Sequence, residues 1–285
     1  ALMNAKMYAE VFRMLGWVTP YSEKSSYPLV FTYIGIHIAL SKGECSRLYE
    51  QCVLGINTPT QLSGKMRYSE KLRFFKCALR SFIDLDGIMY KHELCLGPMS
   101  INDEDEREYQ SMIQCIKSLR GDHKRLKKAF EDLASTLGMK PTPVDNCTRL
   151  PIAFMKSCSW IESIRDKSLY GKSLDCLKIT NHGIETYEHI KDMYDLRLDQ
   201  YIDLDPHTQH SMIRLGTYSM LMRSGYDMSD VLHLMESDKV QCQEIIGDKE
   251  LLFSPAQTIR RSQIEEALDL KLGLGIDSQY HIDAF

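Results

Sequence analysis

The feature that most constrains this chain is a set of residues that occurs twice in the same order. Trp17-Val18 is followed, across a polar stretch, by Thr32-x-x-Gly35, and Trp160-Ile161 is followed in the same way by Thr180-x-x-Gly183. A helical apolar pattern precedes each Trp: Met3, Met7, Val11, Met14 and Leu15 in the first copy, Ile152, Met155 and Cys158 in the second. An extended run precedes each Thr, over Tyr27–Thr32 and over Leu174–Thr180. The Trp positions are 143 residues apart and the Thr positions 148, so the copies differ in the length of the polar loop between them. The physical logic is the same both times. A Thr ending a strand accepts the first N–H groups of the next helix, and a Gly three residues on lets that helix lie close against the strands. Each copy therefore predicts a helix, a two-stranded hairpin and a second helix, an internal repeat of one local structure.

That order is the back half of a winged-helix unit, with the polar loop as the wing. The fold class that follows is mainly α with short β-hairpins: two winged-helix-like units, joined and followed by helical subdomains. Residues 1–60 read as the first unit, truncated at its N-terminus. Residues 61–143 read as a helical connector with the leading helices of the second unit. Its elements are an apolar helix over Leu72–Ile83, a short helix over Ile88–Leu96 and helices over Asp103–Ser118 and Asp122–Leu137. A linker follows over Gly138–Pro143. Residues 144–192 read as the second winged-helix core. Residues 193–285 read as a C-terminal acidic helical subdomain, with helices over His207–Arg223, Ser229–Ser237, Val240–Ile246 and Ala256–Leu272.

Charge is distributed unevenly. The whole chain carries 35 basic and 39 acidic side chains, but residues 113–180 hold 13 basic and 7 acidic ones, and residues 181–285 hold 9 and 19. A polyanion partner is thus expected of the middle segment and excluded for the last. The longest apolar runs fall far short of the roughly 18 residues that span a bilayer, and Ala1–Glu10 lacks the apolar core of a signal peptide. No membrane partner is expected. The nine cysteines have no C-x-x-C spacing, which excludes a zinc ribbon and fits reduced, mostly buried thiols in a cytoplasmic protein.

Taken together, several stretches resemble the DNA-recognition region of Type IIS restriction endonucleases, which is built of winged-helix subdomains separated by helical linkers. The likeness is carried by Phe12-Arg13-Met14-Leu15-Gly16-Trp17, Phe31-Thr32-Tyr33-Ile34-Gly35, Leu48-Tyr49-Glu50-Gln51-Cys52, Leu72-Arg73-Phe74-Phe75 running to Leu85-Asp86-Gly87, and Leu177-Lys178-Ile179-Thr180-Asn181-His182-Gly183. It implies sequence-specific binding of double-stranded DNA as the target-recognition part of a restriction-modification endonuclease, with a nuclease domain or subunit as partner. Mg²⁺ is then expected for that nuclease domain and no cofactor for this chain. The catalytic core itself is not found. An acidic-x-Lys pair on adjacent strands is what such a metal site needs, and the nearest letters, Asp269-Leu270-Lys271 and Ser237-Asp238-Lys239, fall in helical patterns. Phosphate-loop, dinucleotide and nucleophile-elbow motifs are absent too. His207 and His210 stand three apart without a third ligand.

On this reading the helix before each wing faces a major groove. Its contacts would be Asn146, Thr148, Arg149 and Lys156 in the second unit, and Asn4, Lys6 and Arg13 in the first. Arg suits the guanine edge and Asn the adenine edge. Arg149 is equally open to pairing with Asp145, and Lys6 to pairing with Glu10. Phosphate contacts fall to the wing residues Arg165, Lys167 and Lys172 around Tyr170, to Lys124 and Lys128, and to the loop carrying Lys65 and Arg67. Trp17 and Trp160 are expected in the core rather than against bases. Two other functions share part of this pattern: a winged-helix transcription or replication regulator, and a helical protein-interaction scaffold, which suits the acidic last third.

Overall fold

The computed structural model describes residues 8, 11–12, 14–18, 31–40, 45–56, 59–60, 67–68, 72–101, 103, 105–196 and 203–253. The chain divides into two compact units, one made of residues 1–56 with 193–285, the other of residues 57–192. Of the segment read as 1–60, residues 1–56 fall with 193–285 in one unit, and residues 57–60 fall with the segments read as 61–143 and 144–192 in the other.

The first unit opens with helical Tyr8, Val11, Phe12 and Met14, which Gly16 ends at φ +70°. Trp17 N–H reaches back to the Phe12 carbonyl at 2.9 Å, and Val18 bridges Phe31 in antiparallel fashion. Helices α1 (Tyr33–Leu40) and α2 (Ser46–Leu54) follow. The strand read over Tyr27–Thr32 otherwise lies outside the described residues.

In the second unit β1 (Pro59–Thr60) and β2 (Arg67–Tyr68) form a two-residue hairpin ladder. Then comes α3 (Phe74–Asp84), whose buried face carries Phe74, Phe75, Ala78, Leu79 and Phe82. Asp86 and Gly87, both at positive φ, turn the chain into β3 (Ile88–Tyr90), and α4 (Lys91–Leu96) follows at once. The run read as one helix over Ile88–Leu96 is therefore a strand and then a helix. The strand forms because Ile88, Met89 and Tyr90 pair with Lys178, Leu177 and Cys176, a partner some 90 residues away.

Helix α5 (Glu106–Leu119) starts where the Asp105 carboxylate accepts from the N–H groups of Arg107 and Glu108. Helix α6 (His123–Thr136) starts on Asp122 in the same way and buries Leu126, Phe130 and Ala134 at four-residue spacing. The stretch read as a linker over Gly138–Pro143 instead leads into α7 (Pro141–Cys147). Pro141 stands at its first position, where the missing N–H costs no hydrogen bond. Helix α8 (Arg149–Ser157) then leads to β4 (Ile161–Asp166), β5 (Leu174–Ile179) and α9 (Asn181–Ile190). The sheet runs β3-β5-β4, antiparallel throughout.

The chain then returns to the first unit. β6 (Tyr194–Asp195) lies parallel to β7 (Leu251–Leu252), and between them stand α10 (Pro206–Arg223) and α11 (Leu232–Ile246), which fuses the two helices read over 229–246 behind a 3-10 turn. Met212, Ile213, Leu215, Cys242, Ile246 and Phe253 make the core of this half. The helix read over Ala256–Leu272 lies outside the described residues.

The twofold sequence pattern is a twofold geometry. Thr32 Oγ1 donates to the Gly16 carbonyl at 2.6 Å and accepts from Gly35 N–H at 3.0 Å; Thr180 Oγ1 donates to the Ser159 carbonyl at 2.7 Å and accepts from Gly183 N–H at 3.1 Å. Thr32 N–H meets the Trp17 carbonyl and Thr180 N–H the Trp160 carbonyl. A Cβ on Gly35 or Gly183 would run into that same Trp carbonyl oxygen. Ser159, at φ +57°, stands where the first copy has Gly16.

Candidate nucleic-acid interface

Helix α8 is the element to which the site reading assigns the groove. Pro151, Phe154 and Met155 seat it in the core, and Phe154 and Trp160 both pack on the Phe75 ring. The opposite side carries Arg149, Ala153 and Lys156, all exposed and at helical spacing for one face. Arg149 has no carboxylate partner among the described residues, because Asp145 is already held elsewhere: its carboxylate takes Lys91 Nζ at 2.8 Å and stands 3.2 Å from His92 Nε2. Asn146 is exposed at the end of α7. Lys156 donates to Ser163 Oγ at 2.6 Å and so reaches across to β4.

Thr148 leaves the set of contact residues. It is 2% exposed, and its hydroxyl donates to the Asp145 carbonyl, where it joins α7 to α8. Trp160 is fully buried and cannot stack on a base; Trp17 is half-buried, with its indole N–H against Cys52 Sγ.

The loop between β4 and β5 is the wing of the sequence reading. Lys167 and Lys172 are exposed on it. Arg165 is also exposed, but it pairs across the ladder with Asp175 at 3.1 Å, which offsets its charge. Tyr170 does not face out between these cations. It is 5% exposed and its hydroxyl donates to Glu93. Glu93 is wholly buried and also accepts from Arg120, at 3.0 and 3.2 Å, and from Tyr90 N–H at 2.8 Å. Burial, then the Glu93 charge, pushes the Tyr170 phenol well above its usual range.

Sequence reasoning missed this network. Its signal was weak: Glu93 is the third residue of α4 and closes a capping box, but the cap is Tyr90 rather than the Ser or Thr that marks such a box in a sequence.

Lys124 and Lys128 are exposed, one turn apart on α6. Asn4, Lys6, Arg13 and Lys65 lie outside the described residues. So does the side chain of Arg67, whose backbone is in β2. Asp269-Leu270-Lys271 lies outside them as well. Asp238 is no metal ligand: it is buried in α11 and clasped by Arg214. Among the described residues no group of His, Cys, Asp and Glu could hold a metal ion, and no helix is long and apolar enough to cross a membrane. No disulfide joins the nine cysteines, and burial pushes Cys52 and Cys242 up to about 12 and Cys176 to about 11, which makes these three poor nucleophiles.

His92 gives the site a pH dependence. It lies flat on Phe130, with centroids 3.9 Å apart, and burial lowers its pKa from the ordinary 6.5 against the opposing pull of Asp145. The native ring thus takes up its proton at lower pH than the unfolded one. The stability it confers is present above pH 6.5 and is lost as the pH falls through the unfolded value toward the folded one. Urea melts at pH 7.5 and 5.5 should show this loss in the wild type and a smaller one in His92→Gln; equal losses would assign it to other groups.

What the fold defines is a mainly helical chain whose second unit carries a three-stranded antiparallel sheet with a lysine-bearing loop between β4 and β5. No protein-family model matches the chain, and no curated protein matches it.

Proposed function

We propose that residues 57–192 recognise double-stranded DNA, with α8 in the major groove and the β4–β5 loop on the phosphate backbone. The observation that carries this is the exposed face of α8: Arg149 projects from it without a carboxylate partner among the described residues, beside Ala153, and a hairpin with two unpaired lysines adjoins it. A guanine edge and a thymine methyl suit an arginine beside an apolar methyl. The order of elements supports the reading. Helix α3, strand β3, helix α4, helix α8 and the β4–β5 hairpin follow the order of a winged-helix unit, with α5, α6 and α7 inserted before α8.

The sequence resemblance to Type IIS recognition regions further suggests that this recognition serves a site-specific endonuclease whose Mg²⁺-dependent nuclease is a separate domain or subunit. Selection from random duplex DNA at about 0.15 M salt, without metal, tests the proposal. One short asymmetric sequence is the expected result, and Arg149→Ala should cost roughly 1–3 kcal/mol of discrimination at one position. A palindromic motif would shift the reading to a dimeric regulator. No enrichment would remove DNA recognition and leave the protein-interaction scaffold.

A further inference from the structure

The β4–β5 loop is not a free flap. Its Leu169 carbonyl accepts from Gly121 N–H at 2.8 Å, at the turn between α5 and α6. Its Tyr170 ring packs with Leu119 and Leu126, edge-on to His123, with Ala129 and Leu169 around it. Tyr170 then bonds Glu93, and Arg120, the residue before that turn, holds the same carboxylate. Two carboxylates of these segments serve backbone groups: Asp122 caps α6, and Asp166 accepts from Ser168 and Leu169 N–H. Lys127 is paired with Glu131 and Arg125 reaches the Ser118 carbonyl, whereas Lys124, Lys128, Lys167 and Lys172 extend into solvent.

From this arrangement we infer that the loop 167–173 and the first turns of α6 form one pre-set platform for the sugar–phosphate backbone of duplex DNA. Lys124, Lys128, Lys167 and Lys172 supply its charge, and the buried Glu93–Arg120–Tyr170 network fixes its shape. The inference rests on the DNA-recognition reading above and deepens it. Helices α5 and α6, a connector in the sequence, become the support that holds the wing before any DNA arrives. Pre-ordering of this kind removes the cost of immobilising the loop on binding.

Two measurements on the full chain test it. In the free protein, the Gly121 amide should exchange slowly with solvent in the wild type and markedly faster in Tyr170→Phe, which removes only the hydroxyl. A Gly121 amide that is unprotected in the wild type would overturn the pre-set platform whatever the DNA result. Binding to a mixed-sequence duplex of about 20 base pairs, followed against salt, gives the second readout. Each phosphate contact contributes about 0.9 to the slope of log K against log salt. Lys124→Gln with Lys128→Gln, and Lys167→Gln with Lys172→Gln, should each lower that slope by about 1.8 and leave base preference unchanged. Tyr170→Phe should weaken binding about tenfold, a cost on the scale of re-ordering a few side chains. A slope lowered by the loop pair but not by the α6 pair overturns the platform and leaves DNA recognition standing. No duplex binding even at about 50 mM salt overturns both.

Discussion

Arg120→Ala is expected to remove about 3–5 kcal/mol of the stability of residues 57–192. The arginine donates four hydrogen bonds inside this unit: to both oxygens of the wholly buried Glu93, at 3.0 and 3.2 Å, and to the carbonyls of Leu85 and Ile88, at 2.8 and 2.6 Å. Truncation leaves a charge in the core with only Tyr170 and one backbone N–H, and leaves two carbonyls without a donor. Breaking a buried pair by removing one partner costs about 3–5 kcal/mol, against a total of about 5–15 kcal/mol for a domain. Amide exchange in β5 with urea titration measures it. A loss under about 1 kcal/mol would mean that water enters and solvates Glu93. The double variant Glu93→Gln with Arg120→Met should recover part of the loss, because it removes the stranded charge as well as its partner.

Gly183→Ala is the second large effect, and here two terms oppose each other. Alanine gains roughly 1 kcal/mol over glycine in a helix. Its Cβ, however, would collide with the Trp160 carbonyl oxygen and come within 2.9 Å of Ile179 Cγ1. The carbonyl cannot yield, because it accepts from Thr180 N–H at 2.9 Å, the bond that closes the hairpin onto α9. Overpacking of this kind costs about 1–3 kcal/mol and more where backbone is the obstacle, so the net sign is destabilising. Gly35→Ala should behave alike in the other unit, against Trp17. Thermal melts of the two variants decide the point; a stabilised protein would show that the helix slides outward freely.

The parts of the fold visible in the sequence were those whose causes are local. Thr32 and Thr180 cap helices because a hydroxyl three residues from a glycine N–H reaches it in any context, and Asp105, Asp122 and Asp205 do the same for α5, α6 and α10. Strands made by distant partners were not visible. Ile88-Met89-Tyr90 has no period of its own and becomes a strand only when β5 is beside it, and the two-residue strands Tyr194–Asp195 and Leu251–Leu252 exist only through each other. Of the candidate site, exposure of Arg149, Lys156, Lys167 and Lys172 followed from helix and loop position. The inward turn of Thr148 and Tyr170 did not, since it depends on Asp145 and on Glu93, which other elements bring to them.

The divided first unit has a consequence for synthesis. Helix α2 packs on α10, and Arg223 Nε donates to Gln51 Oε1 at 3.0 Å, so the unit closes only when both stretches of chain exist. A ribosome adding about 5–20 residues per second completes residues 57–192 on the order of ten seconds after residue 56. Throughout that interval Leu48, Cys52, Val53 and Leu54, all buried in the finished protein, have no surface to cover them. The stretch before residue 57 therefore waits for its second half, while the unit made later is the first to become native.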